Sequence, residues 1–312
     1  MDIFVLVLLF YLSVIGHEFA HLNSMLNRGA KVHEFGVGAP KGPRFSCVCK
    51  TGKYAGIRFS LYLLTWFLGA FVDGDFEHLP YKDRALIVCA GPFANIHFGC
   101  FLLIAVFVFS IFQNLSQTIN FGFEDWALYL WYLACSSPFL WGSLLAIPVC
   151  WFGRKIVSAY LAPVLGISLL IWVFHSVAYV GAANYLSEVM GPVGLVEQLT
   201  ESSNDMSSSV LLAGQLSIVL GASNLLPIYP LDGGYLFLPA IKGFSPGFAK
   251  YYKKAGLWLV LSIMALVFAK DIIMLCGYFW FAVIAIVSAV LYYAKDIGRA
   301  AGFHTGYFAH KT

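Results

Sequence analysis

The chain has 312 residues, 60% of them hydrophobic and only 11% charged, and its mean hydropathy is +0.79. These proportions exclude an ordinary soluble domain and imply an integral membrane protein. A net charge of +3 with scattered Lys and Arg excludes a nucleic-acid footprint. The cysteines, with Cys89, Cys100, Cys135, Cys150 and Cys276 in apolar runs, form no disulfide framework.

The first apolar run, near residues 3–22, is long enough for a membrane helix. It lacks a basic leader and ends in His17-Glu18-Phe19-Ala20-His21 in place of a small-residue cleavage site, so it reads as a retained span rather than a signal peptide. On a helix, that His-Glu-x-x-His spacing stacks the two imidazoles one turn apart on one face, about 6 Å between Cβ atoms, which suits one Zn²⁺. A glutamate between them, inside an apolar helix, costs a few kcal/mol to insert and points to function, here a general base. Residues 23–84 then form a long polar connection with short alternating stretches at 32–35, 44–49 and 54–64 around a Lys50-Thr51-Gly52-Lys53 turn. They predict small strands and a hairpin. The apolar stretch 61–72 is too short to span and suggests strands dipping into the membrane interface. Cys47 and Cys49, two apart in this region, read as incidental.

Further apolar runs follow near 85–112, 127–150, 156–180, 208–228, 255–270 and 272–294, with Lys270-Asp271 marking either a turn or a kink between the last two. The expectation is an all-α polytopic membrane protein of about six to seven transmembrane helices, with a small cytoplasmic-side membrane-associated β-hairpin region. Of the nineteen Lys and Arg, all but Lys270 fall in connections on one side. By the positive-inside rule that side is cytoplasmic, the N-terminus outside and the C-terminus inside. His97 and His175, inside apolar runs, read as core histidines.

Catalytic zinc takes three protein ligands. The third is sought in Asn224-Leu225-Leu226-Pro227-Ile228-Tyr229-Pro230-Leu231-Asp232-Gly233-Gly234, after the 208–228 run. Alone, Pro-x-Asp-Gly-Gly is a turn signal. The charge count runs the first and the 208–228 spans in the same direction, however, so His17, His21 and Asp232 all arrive at cytoplasmic ends and can meet.

In these motifs the chain resembles the site-2 protease family of intramembrane zinc metalloproteases, and particularly its bacterial sigma-E-regulating branch. The similarity is carried by Gly16 through His21, Phe35-Gly36-Val37-Gly38, Ala90-Gly91-Pro92-Phe93-Ala94-Asn95, Gly191-Pro192-Val193-Gly194 and Asn224 through Gly234, over about 1–98 and 184–271. Between these the chain departs from that branch: where such relatives carry PDZ domains, it has the apolar pair 127–180, and the run 272–294 is a further addition. The whole reads as a single membrane protease domain, 1–312, with its core in 1–112 and 184–271. The resemblance implies an inner-membrane enzyme using Zn²⁺ held by His17, His21 and Asp232, with Glu18 as the acid–base. It also implies substrate contacts from Asn224 and, alongside a purely structural amide role, from Asn95. The implied substrates are single-pass transmembrane proteins or leftover signal peptides, within the lipid bilayer. Two rival readings are a membrane transporter and a scaffold that binds helices without cutting them; a transporter leaves unexplained a glutamate set between metal-spaced histidines.

Overall fold

The computed structural model describes residues 2–66, 69–117, 142–150, 161–179, 206–276 and 288. The chain forms two compact units, residues 1–188 with 198–260 and residues 189–197 with 261–312. Everything that builds the site below belongs to the first.

Helix α1 (Asp2–Asn27) has 26 residues, about 39 Å at 1.5 Å per residue. Its polarity is inverted relative to a water-soluble helix. Phe4, Leu8 and Leu12 face outward, while Ser13, His17, His21 and Ser24, spaced by three or four, are buried on one inward stripe. Apolar outside and polar inside is the arrangement that hydrocarbon favours. Phe4–Asn27 and Tyr81–Phe109 are, among the described residues, the two helical stretches long and apolar enough to cross a membrane.

After α1 the chain enters four strands, β1 (Lys31–Val37), β2 (Arg44–Val48), β3 (Arg58–Tyr62) and β4 (Ala70–Asp75), in the spatial order β2-β3-β1-β4. The expected hairpin is present as the antiparallel β2–β3 pair, Phe45 opposite Leu61, turning through a short 3-10 segment at Gly52–Tyr54. The element is nevertheless larger than a hairpin in an all-α protein. It is a mixed sheet, since β3 also pairs in parallel with β1 and β4 closes the other side antiparallel to β1. Arg44 Nη1 donates to both carboxylate oxygens of Glu34, at 3.0 and 3.4 Å, and ties β2 to β1 across β3. Val32 and Phe35 of β1 pack with Leu22 and Met25 of α1, fixing the sheet beneath the helix.

Helix α2 (Tyr81–Val88) follows Pro80, and the helical path is interrupted at Cys89 before α3 (Ala90–Gln117). Residues 142–150 are helical, and α4 (Leu161–Tyr179), α5 (Met206–Asn224), α6 (Asp232–Phe244) and α7 (Pro246–Cys276) complete the described elements. Helix α5 packs against α1, α3 and α4. Glycines allow the α3–α5 approach: a Cβ on Gly214 would lie 3.1 Å from the Gly99 carbonyl oxygen. Phe93, Ile96, Cys100, Ile218, Ala222, Leu225 and Leu236 form the core around that crossing. Helix α7 runs unbroken through Lys270-Asp271, so no turn lies there. The rest of the 127–180 pair, the Gly191–Gly194 segment and the run 277–294 except residue 288 lie outside the described residues.

Candidate metal centre

His17 and His21 project from the buried stripe of α1, one turn apart, with ring centroids 4.8 Å from each other. The two Nε2 atoms approach to 3.1 Å. His21 Nδ1 lies 2.8 Å from the Ile87 carbonyl oxygen of α2. A carbonyl only accepts, so Nδ1 carries the hydrogen and His21 Nε2 presents its lone pair.

Asp232 arrives from the far end of the chain. Helix α5 stops at Asn224, and Leu225–Leu231 turn back through a cis Tyr229–Pro230 bond before α6 starts at Asp232. The turn is drawn tight, because a Cβ on Gly234 would fall 2.6 Å from the Tyr229 nitrogen, so glycine is required by close approach of backbone. The Tyr252 hydroxyl of α7 lies 3.0 Å from Pro227 O and 3.3 Å from Gly234 O, bridging both ends of the turn. As a result Asp232 Oδ2 lies 2.9 Å from His17 Nε2 and 3.4 Å from His21 Nε2. Residues separated by more than two hundred positions thus present three ligand atoms to one point, and among the described residues this is the group of His, Cys, Asp and Glu able to hold a metal ion.

The donor set fits a zinc ion. A tetrahedral Zn²⁺ with ligands near 2.0–2.1 Å has ligand–ligand edges of about 3.3 Å, and the edges here are 2.9, 3.1 and 3.4 Å. Two imidazoles and one carboxylate are a borderline-hard set suited to that ion. Space is also reserved, since a Cβ on Gly91 of α3 would press against both Nε2 atoms.

Glu18 lies beside His17 and is half-buried. The Val72 backbone N–H of β4 faces its carboxylate, so the free edge of the sheet runs past this residue. Asn224, half-buried, ends α5 eight residues before Asp232. Asn95 lies behind His17, 1% exposed, with Nδ2 3.0 Å from His17 Nδ1. Of the remaining histidines, His97 is partly buried with Nδ1 bonded to Phe93 O, whereas His175 is exposed on its helix, contrary to its reading as a core residue. Ser13, Ser217 and the Ile87 carbonyl were not singled out from sequence, and Gly91 stands there only within the motif that carries the resemblance. Ser13 had a usable signal, being one turn before His17 on the same stripe; Ser217 and Ile87 become neighbours only through helix packing.

A family profile described as peptidase family M50 matches residues 5–269. A protein of Clostridium perfringens provisionally named a zinc metalloprotease is 31% identical over 99 residues, which is 30% of this chain and 30% of that protein. The shared stretch therefore spans less than a third of the relative's length.

Proposed function

The chain belongs to peptidase family M50, and from that premise we propose that it is a membrane-embedded zinc metalloendopeptidase that cleaves peptide bonds within or near transmembrane helices of single-pass proteins or residual signal peptides. The observation that carries this reading is the convergence of His17, His21 and Asp232 within 3.4 Å of one another, beside Glu18.

His17, His21 and Asp232 would hold the ion, which when bound supplies a Lewis acid that makes water a nucleophile near neutral pH. Glu18 takes one proton from the attacking water. The hydroxyl joins the peptide carbonyl carbon, and Glu18 returns the proton to the departing amine as the C–N bond breaks. Substrate must reach this point extended, because a membrane helix keeps its carbonyls in internal hydrogen bonds. The outer edge of β4 supports strand addition there, since among the described residues it is the unpaired edge on that side of the sheet and its Val72 N–H faces Glu18. Asn224 is assigned to hydrogen-bonding the substrate backbone near Asp232. The membrane is the bacterial inner membrane, with the sheet on the cytoplasmic side and the N-terminus outside, as the Lys and Arg distribution supports.

The test is hydrolysis of a purified single-pass helix in detergent, with product masses locating the cut. Cleavage inside the apolar segment, lost on chelation and restored by Zn²⁺, is expected. Cuts confined to soluble flanks, or unaffected by chelation, would refute the assignment.

A further inference from the structure

Behind His17, three helices contribute a closed group of polar side chains with no water access: Ser13 of α1, Asn95 of α3 and Ser217 of α5, exposed by 2%, 1% and 0%. Ser217 Oγ lies 2.8 Å from the Asn95 backbone oxygen, Ser13 Oγ lies 2.6 Å from Ser217 Oγ, and Ser13 Oγ lies 3.2 Å from the Asn95 side-chain amide. The other end of that amide meets His17 Nδ1 at 3.0 Å.

Counting hydrogens decides their directions. A backbone carbonyl only accepts, so the single Ser217 hydrogen goes to Asn95 O. The 2.6 Å contact between hydroxyls then consumes the single Ser13 hydrogen. Ser13 has none left for the Asn95 amide, so the amide must donate to Ser13 through its NH₂. A half-turn of the amide, which exchanges nitrogen and oxygen without changing its shape, gives each of these four contacts one donor and one acceptor. It leaves Oδ1 facing His17 Nδ1, and an oxygen there demands an N–H.

We propose that the Asn95–Ser13–Ser217 relay is a positioning device that holds the His17 hydrogen on Nδ1 and keeps the Nε2 lone pair turned toward His21 and Asp232. The assignment rests on the metal-site reading above and extends it from ligands to the groups that orient them. His21 obtains the same tautomer more simply, from the Ile87 carbonyl. Without the relay, an amide NH₂ facing Nδ1 would place the hydrogen on Nε2, where it blocks the ligand position.

The experiment measures zinc affinity of the full-length protein in detergent by competition with a chromophoric chelator, for wild type, N95L, N95D, S217A and the double variant S217A/N95D. Loss of an outer partner of a metal-bound histidine typically weakens binding by about 10–100-fold, and N95L is expected in that range. N95D, which offers an acceptor to Nδ1–H whichever way it turns, is expected to bind within a few-fold of wild type. S217A frees the Ser13 hydrogen to bond the amide oxygen and draws the NH₂ round to His17, so about 10-fold weakening is expected. In the N95D background both side-chain oxygens accept, and S217A should cause no weakening. A merely structural network would give the same S217A effect in both backgrounds, and that result, or an unaltered S217A single variant, would overturn the proposal even if N95L does not fold. Stoichiometric zinc in the wild type with undiminished binding in folded N95L would sink the relay alone; a wild type that binds no zinc would sink the metal-site reading and the relay with it.

Discussion

At Gly91 the absence of a side chain is a condition of the chemistry, for any Cβ there presses on the Nε2 atoms of His17 and His21. Replacing Gly91 with alanine is therefore expected to weaken zinc binding at least about 10-fold, and overpacking at such a site costs typically ~1–3 kcal/mol. A chelator titration and a melting curve in detergent read the two effects; wild-type zinc affinity in a folded G91A protein would show that the histidines approach the ion from elsewhere. At this scale the grouping of His17, His21 and Asp232 was legible in the sequence, because helical spacing alone puts the two histidines on one face and the prolines and glycines mark the turn that delivers Asp232 to the start of α6. The neighbours that orient them were not. Asn95 and Ser217 are 122 positions apart, and no local pattern announces that a serine hydroxyl will meet a particular backbone oxygen on another helix.

Two elements set the distances in the site. The α3–α5 crossing carries Gly91 and Asn95 on one side and leads into the Asp232 turn on the other, and it is close because Gly99 and Gly214 face each other. Gly214→Leu should force the helices apart, lower the unfolding midpoint in detergent and loosen zinc; a variant with unchanged melting and metal content would show that the crossing does not position the site. The second element is β4. The apolar stretch 61–72, read from sequence as too short to span, has its ends in β3 and β4, and the parallel β1–β3 and antiparallel β1–β4 pairings join segments that hairpin signals do not connect. Val72→Pro removes the N–H facing Glu18 while sparing every metal ligand. We expect kcat/KM for a single-pass helix to fall about 10-fold, what losing one hydrogen bond of roughly 1.4 kcal/mol gives, with zinc content intact. Full activity in V72P would remove β4 from the substrate path.

Among the described helices around the site, polarity is turned inside out, with Phe4, Leu8 and Leu12 of α1 outward and Ser13, His17, His21, Asn95 and Ser217 inward. That inversion was legible from composition, as was the sheet's polar character; of the runs expected as spans, several lie partly outside the described residues, among which Leu161–Val173 and Ser209–Asn224 are apolar helices shorter than a full span. Orientation is testable with a thiol already present. Cys47 is exposed on β2, whereas Cys89, Cys100 and Cys150 are buried. A membrane-impermeant maleimide should label Cys47, identified by loss of signal in C47S, only after the membrane is permeabilised; labelling in intact cells would put the sheet outside. The claim on which the rest depends is that three ligands and one acid–base do separate jobs. Measuring zinc stoichiometry and cleavage of a single-pass helix together, for wild type, E18Q and D232A, tests it most directly. The account predicts one zinc per chain in wild type and in E18Q, weakened zinc in D232A, and no cleavage by either variant; a folded wild type without zinc, or an E18Q protein that still cuts, would contradict it.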